Sequence, residues 1–195
     1  MRGLYAAFFF YFANLSFYLV MTMFVQRGLH IPPLQAGMVF LPLSLSFVVA
    51  SRHGAARARH RGTLVLIEGC ATQIAGLAIL ALTVAFAKAP GAPLLALVLV
   101  VFGYGQGLVM APLSSAVLST VKPVSAGSGA GMYGTTAHIA NAAGVAAIGA
   151  VFFAIETVWS ARPALLAALA LFALSILTCV AFLSWMRRAS ARSQL

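Results

Sequence analysis

The sequence predicts an all-α membrane protein with six transmembrane helices. Three observations predict it. Of the 195 residues 63% are hydrophobic, and only 7% are charged, as 12 Lys/Arg and 2 Asp/Glu. A soluble domain carries roughly 25% charged residues, so this chain has too little charge to face water all round. The mean hydropathy is +1.03. Finally, the apolar residues fall into six long stretches with short Pro-, Gly- or Arg-bearing segments between them. This composition excludes a secreted disulfide scaffold, a disordered chain and an ordinary cytosolic enzyme. The two cysteines, Cys70 and Cys179, lie inside apolar stretches and read as small packing or lipid-facing side chains.

A helix needs about 20 mostly apolar residues to cross the ~30 Å hydrocarbon layer. The six stretches that meet this length are Leu4–Gln26, Leu34–Ser51, Thr63–Ala87, Pro93–Thr120, Ala126–Glu156 and Pro163–Met186. All are Ala/Leu-rich and lack period-two alternation, which argues against barrel strands. In lipid every backbone polar group needs an internal partner, and that leaves helices. The links are short and carry breakers: Gly28, Pro32 and Pro33, then Pro90 and Gly91, then Pro123. Short links make successive helices antiparallel, in a single domain over residues 1–195. The first stretch follows Arg2 but is too long for a signal-peptide core and has no small-x-small cleavage site, so it reads as a retained span.

Lys and Arg set the orientation. One side of the membrane receives Arg2, Arg52, Arg57, Arg59, Arg61, Lys122, Arg187, Arg188 and Arg192, and the other receives Arg27, Lys88 and Arg162. That split predicts an integral protein of the cytoplasmic membrane with both termini in the cytoplasm. Arg52–Arg61, taken as the loop between the second and third helices, holds four arginines, His53, His60 and no acid. It reads as a topology signal in contact with anionic lipid headgroups, not as a metal or nucleic-acid site.

Several segments match a known family in order and spacing. The first is "MTMFVQRGLHIPPLQAGMVFLPLSLS", through Gln26, Gly28, Pro33, Ala36, Gly37, Leu41 and Pro42. The second is the basic loop of Arg57, Arg59 and Arg61 closing on Gly62. The third is "GYGQGLVMAP", through Gly103, Gly105, Gly107 and Pro112. The last is "SAGSGAGMYGTTAHIANAAGVAAIG", through Gly127, Gly129, Gly134, Gly144 and Gly149. In these residues the chain resembles the C-terminal six spans of a major facilitator superfamily transporter, most closely the fourteen-span drug–proton antiporters. The basic loop lacks the acid that completes the family's loop motif. The resemblance implies a half-bundle of two inverted three-helix repeats. It implies outward transport of small amphipathic organic compounds in exchange for protons, with no cofactor. It also implies a missing N-terminal half, or another copy, as partner. In that scheme the first and fourth helices line a cavity and the third and sixth face lipid.

Depth along the helices picks out candidate residues. At 1.5 Å per residue, Asn14 lies about 15 Å beyond Leu4, His138 about 18 Å beyond Ala126 and Gln106 about 20 Å beyond Pro93. All three fall near the bilayer midplane, where polar side chains face a bundle interior or a wet cavity and where transporters hold their substrates. Helical spacing groups Tyr11, Asn14, Tyr18 and Thr22 on one side, and Gly134, His138 and Asn141 on another. Tyr104 and Gln106 are two residues apart, so they cannot point at one spot. The substrate-cavity candidates are therefore Tyr11, Asn14, Tyr18, Tyr104, Gln106, His138 and Asn141. Each also reads as an interhelical hydrogen bond that only holds the bundle. His138 is the one imidazole at mid-depth and a candidate proton carrier. Glu68, about 8 Å into its helix, reads as a partner for Arg61, and Glu156 as interfacial. Small residues at four-residue spacing, Gly103, Gly107, Gly127 and Gly131, let backbones approach. With Gly134 and the helix-bending Pro112 they are the packing and gating candidates. No His-Glu-x-x-His, paired acids or Gly-x-Ser-x-Gly elbow is present, so an enzyme is not expected, nor a metal. The alternative function is a truncated or accessory membrane protein with no transport of its own.

Overall fold

Each apolar stretch forms a helix in the computed structural model, which describes residues 2–87, 90–119, 121 and 123–192. The helices are α1 (Arg2–Met23), α2 (Pro33–Arg61), α3 (Leu64–Phe86), α4 (Ala92–Leu118), α5 (Ala126–Val158) and α6 (Ala161–Arg192). A π-helical turn, Phe24–Gly28, extends α1, and a 3-10 turn, Pro123–Ser125, precedes α5. All six are long and apolar enough to cross a bilayer, and the chain is an integral membrane protein. The topology residues Lys88 and Lys122, and Thr120 at the expected end of the fourth helix, lie outside the described residues.

Local chemistry sets the helix ends. Pro33 occupies the first turn of α2 and Pro93 that of α4, where a missing N–H costs nothing. The turn before α2 puts His30 at φ 55°. Arg162, at the start of α6, donates from Nη2 to the Ala87 carbonyl at 3.0 Å and so caps the carboxyl end of α3.

The basic segment differs from expectation. It is not a loop: α2 continues without a break through Arg57, Arg59 and Arg61, and the link to α3 is only Gly62 and Thr63. Ala and Arg are strong helix formers, and once outside the hydrocarbon layer nothing obliges the helix to stop. It stops at Gly62, whose φ of 54° is open to glycine and strained for other residues. Pro42 and Pro112 both sit inside helices that run on past them.

The helices pack in two groups. α4 lies against α2 and α3, while α1 lies against α5 and α6. α3 and α6 meet each other, and α1 touches α4 more lightly. Aromatic rings fill the centre. Phe17 stacks on Phe102 at 3.9 Å and meets Phe172 edge-on at 5.7 Å, joining α1, α4 and α6. Glycines bring the other pairs close. A Cβ on Gly103 would strike the Leu43 carbonyl and the Ser46 hydroxyl, and one on Gly107 would strike the Phe47 carbonyl and Ala50. Gly144 on α5 lies as tightly on Phe12 and Ser16 of α1.

The expected lipid-facing role of the third and sixth helices needs adjusting. The helices least covered within the chain are α2 and α5, with 22% and 28% of their most apolar stretches buried, against 56% for α1 and for α4. α3 and α6 are each fastened on one side and open on the other, where Leu82 and Leu174 are exposed.

Candidate functional site

Three polar side chains meet at mid-depth between α1 and α4. Asn14 and Tyr18 stand one turn apart on α1 and both reach Gln106 of α4. Gln106 donates from Nε2 to Asn14 Oδ1 at 2.7 Å, and Tyr18 donates its hydroxyl proton to Gln106 Oε1 at 2.8 Å. One amide thus uses its donor and its acceptor on two α1 side chains. Asn14 and Gln106 are buried, 8% and 3% exposed, so the pair is cut off from solvent and each bond replaces one that water cannot make. The Tyr18 ring leans on Phe40 of α2 at 6.0 Å. This places the network where α1, α2 and α4 converge.

Tyr11 turns away from that network. Its hydroxyl lies 3.1 Å from the Tyr133 hydroxyl on α5, and the rings meet edge to face at 6.0 Å. Tyr133 is not among the sequence-derived candidates. Depth counting was the signal for it, because Tyr11 and Tyr133 each stand seven residues into helices that enter from the same side. Tyr104 and Gln106 diverge, as their spacing requires. Tyr104 is half-buried against the cluster of Ala50, Val65 and Leu108, with its hydroxyl 3.4 Å from His53 Nδ1 of α2.

His138 joins neither group. It is exposed on α5, although α5 itself packs on α1. Asn141, one turn on, has a buried Oδ1 without a hydrogen-bond partner. Gly127, Gly131 and Gly134 do not pack against another helix among the described residues. A Cβ at any of the three meets nothing within 4 Å. As packing candidates they meet no other helix among the described residues, and they lie on the open face of α5 with His138. Gly103, Gly107 and Pro112, by contrast, are buried on α4.

Gln73 on α3 is a further residue that sequence reasoning passed over. It is 2% exposed, at mid-depth, and its Oε1 has no partner. The expectation that the third helix faces lipid hid it. Both acids are paired as their positions imply. Glu68 Oε1 lies 3.1 Å from Arg61 Nη1, and Glu156 Oε2 lies 3.7 Å from Arg27 Nη1. Cys70 and Cys179 are fully buried and free.

This arrangement consists of neutral groups that hydrogen-bond to one another. It holds no carboxylate at mid-depth. Comparison with protein-family models matches no family, and comparison with curated proteins finds none similar to this chain.

Proposed function

We propose that the chain is one six-helix bundle of a major-facilitator-type secondary transporter. It exports small amphipathic organic compounds against protons, together with a second bundle, from the cytoplasmic membrane with both termini inside. The observation that carries the reading is the buried Asn14–Gln106–Tyr18 network, which ties α1 to α4 at the depth where such transporters bind substrate. The helix contacts support it. Exchanging α1 with α4, α2 with α5 and α3 with α6 converts the α4 contacts with α2 and α3 into the α1 contacts with α5 and α6. It leaves the α3–α6 contact as it is, as two three-helix repeats would.

The open face of α5 supports a second bundle. An imidazole at mid-depth is costly against lipid tails, and His138 has only protein or a water-filled cavity as reasonable surroundings. Between two bundles it would face the path of substrate and protons. Rocking of one bundle against the other around a fixed midplane site gives alternating access. The α1–α4 clasp then serves as the part of the wall that stays rigid.

The test is dye export by cells that make the chain. Deleting its gene is expected to raise accumulation of an amphipathic cationic dye in energised cells, and the wild-type gene to reverse it. Gln106→Leu is expected not to. An unchanged accumulation after deletion, or full rescue by Gln106→Leu at equal expression, overturns the proposal.

A further inference from the structure

The basic end of α2 carries charge that the chain does not neutralise. From Pro33 to Ser51 the helix covers about 28 Å, close to the ~30 Å hydrocarbon thickness. Arg52–Arg61 continues it as helix for about 15 Å more, through a headgroup layer about 5–8 Å deep on each side. This end is firmly seated. Gly54 lies against the backbone of Leu108 on α4. Ala50, Val65 and Leu108 form a small apolar cluster beneath it, and Arg61 is fastened to Glu68 of α3.

Arg52, Arg57 and Arg59 are exposed on this platform. The chain has two acidic side chains, and both are engaged elsewhere, Glu68 with Arg61 and Glu156 with Arg27. The carboxyl-end dipole of α2 favours cations in its last turn, which accounts for Arg59 and Arg61 but not for Arg52 and Arg57 before it. Their counter-charge must come from outside the chain's side chains. Arg52 stands about 2 Å past Ser51, inside the headgroup layer, and Arg57 and Arg59 about 9 and 12 Å past it, at the layer's outer edge. The abundant anion there is lipid phosphate, which a guanidinium grips with two parallel hydrogen bonds.

We infer that the basic end of α2 is a binding surface for anionic phospholipid headgroups, with Arg52, Arg57 and Arg59 taking the phosphates of the adjacent leaflet. Arg52 and Arg59 share one face of the helix, and Arg57 lies on another, so the surface takes more than one headgroup. A soluble polyanion would have to enter the headgroup layer to reach Arg52, whereas lipid is already there. The inference does not depend on transport.

Spin-labelled lipids test it. The full chain is reconstituted in phosphatidylcholine vesicles with a trace of labelled phosphatidylglycerol or labelled phosphatidylcholine, and the immobilised fraction of each label gives their relative affinity. Phosphatidylglycerol is expected to be preferred at low salt. The Arg52→Gln/Arg57→Gln/Arg59→Gln variant is expected to lose about fivefold or more of that preference, and the corresponding triple lysine variant to keep most of it. A tail variant, Arg187→Gln/Arg188→Gln/Arg192→Gln, is expected to keep the α2 contribution. Should the triple glutamine variant not fold, the single variants carry the same comparison, each losing a part. A preference unchanged by the α2 substitutions, or lost wholly with the tail substitutions, overturns the inference. So does its abolition by inorganic phosphate at constant ionic strength, which would make the site one for a free anion.

Discussion

Gln73 and Gln106 are both buried at mid-span, but their surroundings differ. Gln106 meets two partners, Asn14 and Tyr18, whereas the Gln73 oxygen meets none. Replacing Gln106 by Leu leaves two α1 groups without their partner and is expected to cost about 1–3 kcal/mol. A double-mutant cycle with Asn14→Ala is expected to give a coupling of about 0.6–1.7 kcal/mol, the range for such bonds in membranes. Gln73→Leu removes a buried acceptor that has no partner, and stability is expected to hold or rise by about 1 kcal/mol. Thermal unfolding in detergent checks both, and a loss at Gln73 as large as that at Gln106 would refute the contrast. At this scale the meeting of Asn14 with Gln106 agrees with their counted depths, and direction was not legible. Counting from the helix ends put Asn14, Gln106 and His138 at similar levels. It did not show that the first two bond while the third stands exposed, because rotation about a helix axis is set by packing against neighbours. The hydrophobic stripe that sets rotation in a soluble helix is missing when a helix is apolar all round.

Two glycine runs with the same spacing have opposite settings. Gly103 and Gly107 receive the backbone of α2, whereas Gly127 and Gly131 face open space. Gly107→Val is therefore expected to cost about 1–3 kcal/mol or more through overpacking, and Gly131→Val to leave the bundle's own stability unchanged. If α5 meets a second bundle, Gly131→Val is still expected to reduce export. Thermal unfolding alongside dye export separates the two effects, and equal destabilisation by both substitutions would contradict the packing described. At the end of α2, Gly62→Ala places a Cβ where φ is 54° and is expected to cost about 1–3 kcal/mol. The existence of all six helices could be read from apolar run length. The end of α2 could not, because hydropathy marks where a helix leaves lipid and not where it stops being a helix.

At the scale of the whole molecule, the helices differ in how much of their surface the bundle covers. Leu82 on α3 and Leu174 on α6 present simple apolar surface. The faces of α2 and α5 are the least covered, and α5 shows small and polar groups at mid-depth. Composition made the membrane class legible, and the proposed likeness to a half-transporter rests on the order of the small-residue segments alone. Which helices are least covered within the chain depends on helix contacts and was out of reach of the sequence. If the proposed function holds, the polypeptide by itself is expected to give no proton-coupled dye export in vesicles, since the second bundle would be missing and the chain has no carboxylate at mid-depth. Export that collapses with the proton gradient would show one bundle to be enough.

The most direct test is whether water reaches position 138. In native membranes, with Cys70 and Cys179 replaced by alanine, His138→Cys is exposed to a small charged thiol reagent, with Leu82→Cys and Leu174→Cys as lipid-facing controls. Reaction at 138 and none at the controls is the predicted result. Failure at 138, with the same preference for a lipid-soluble reagent as the controls, would place α5 against lipid and contradict the transport cavity.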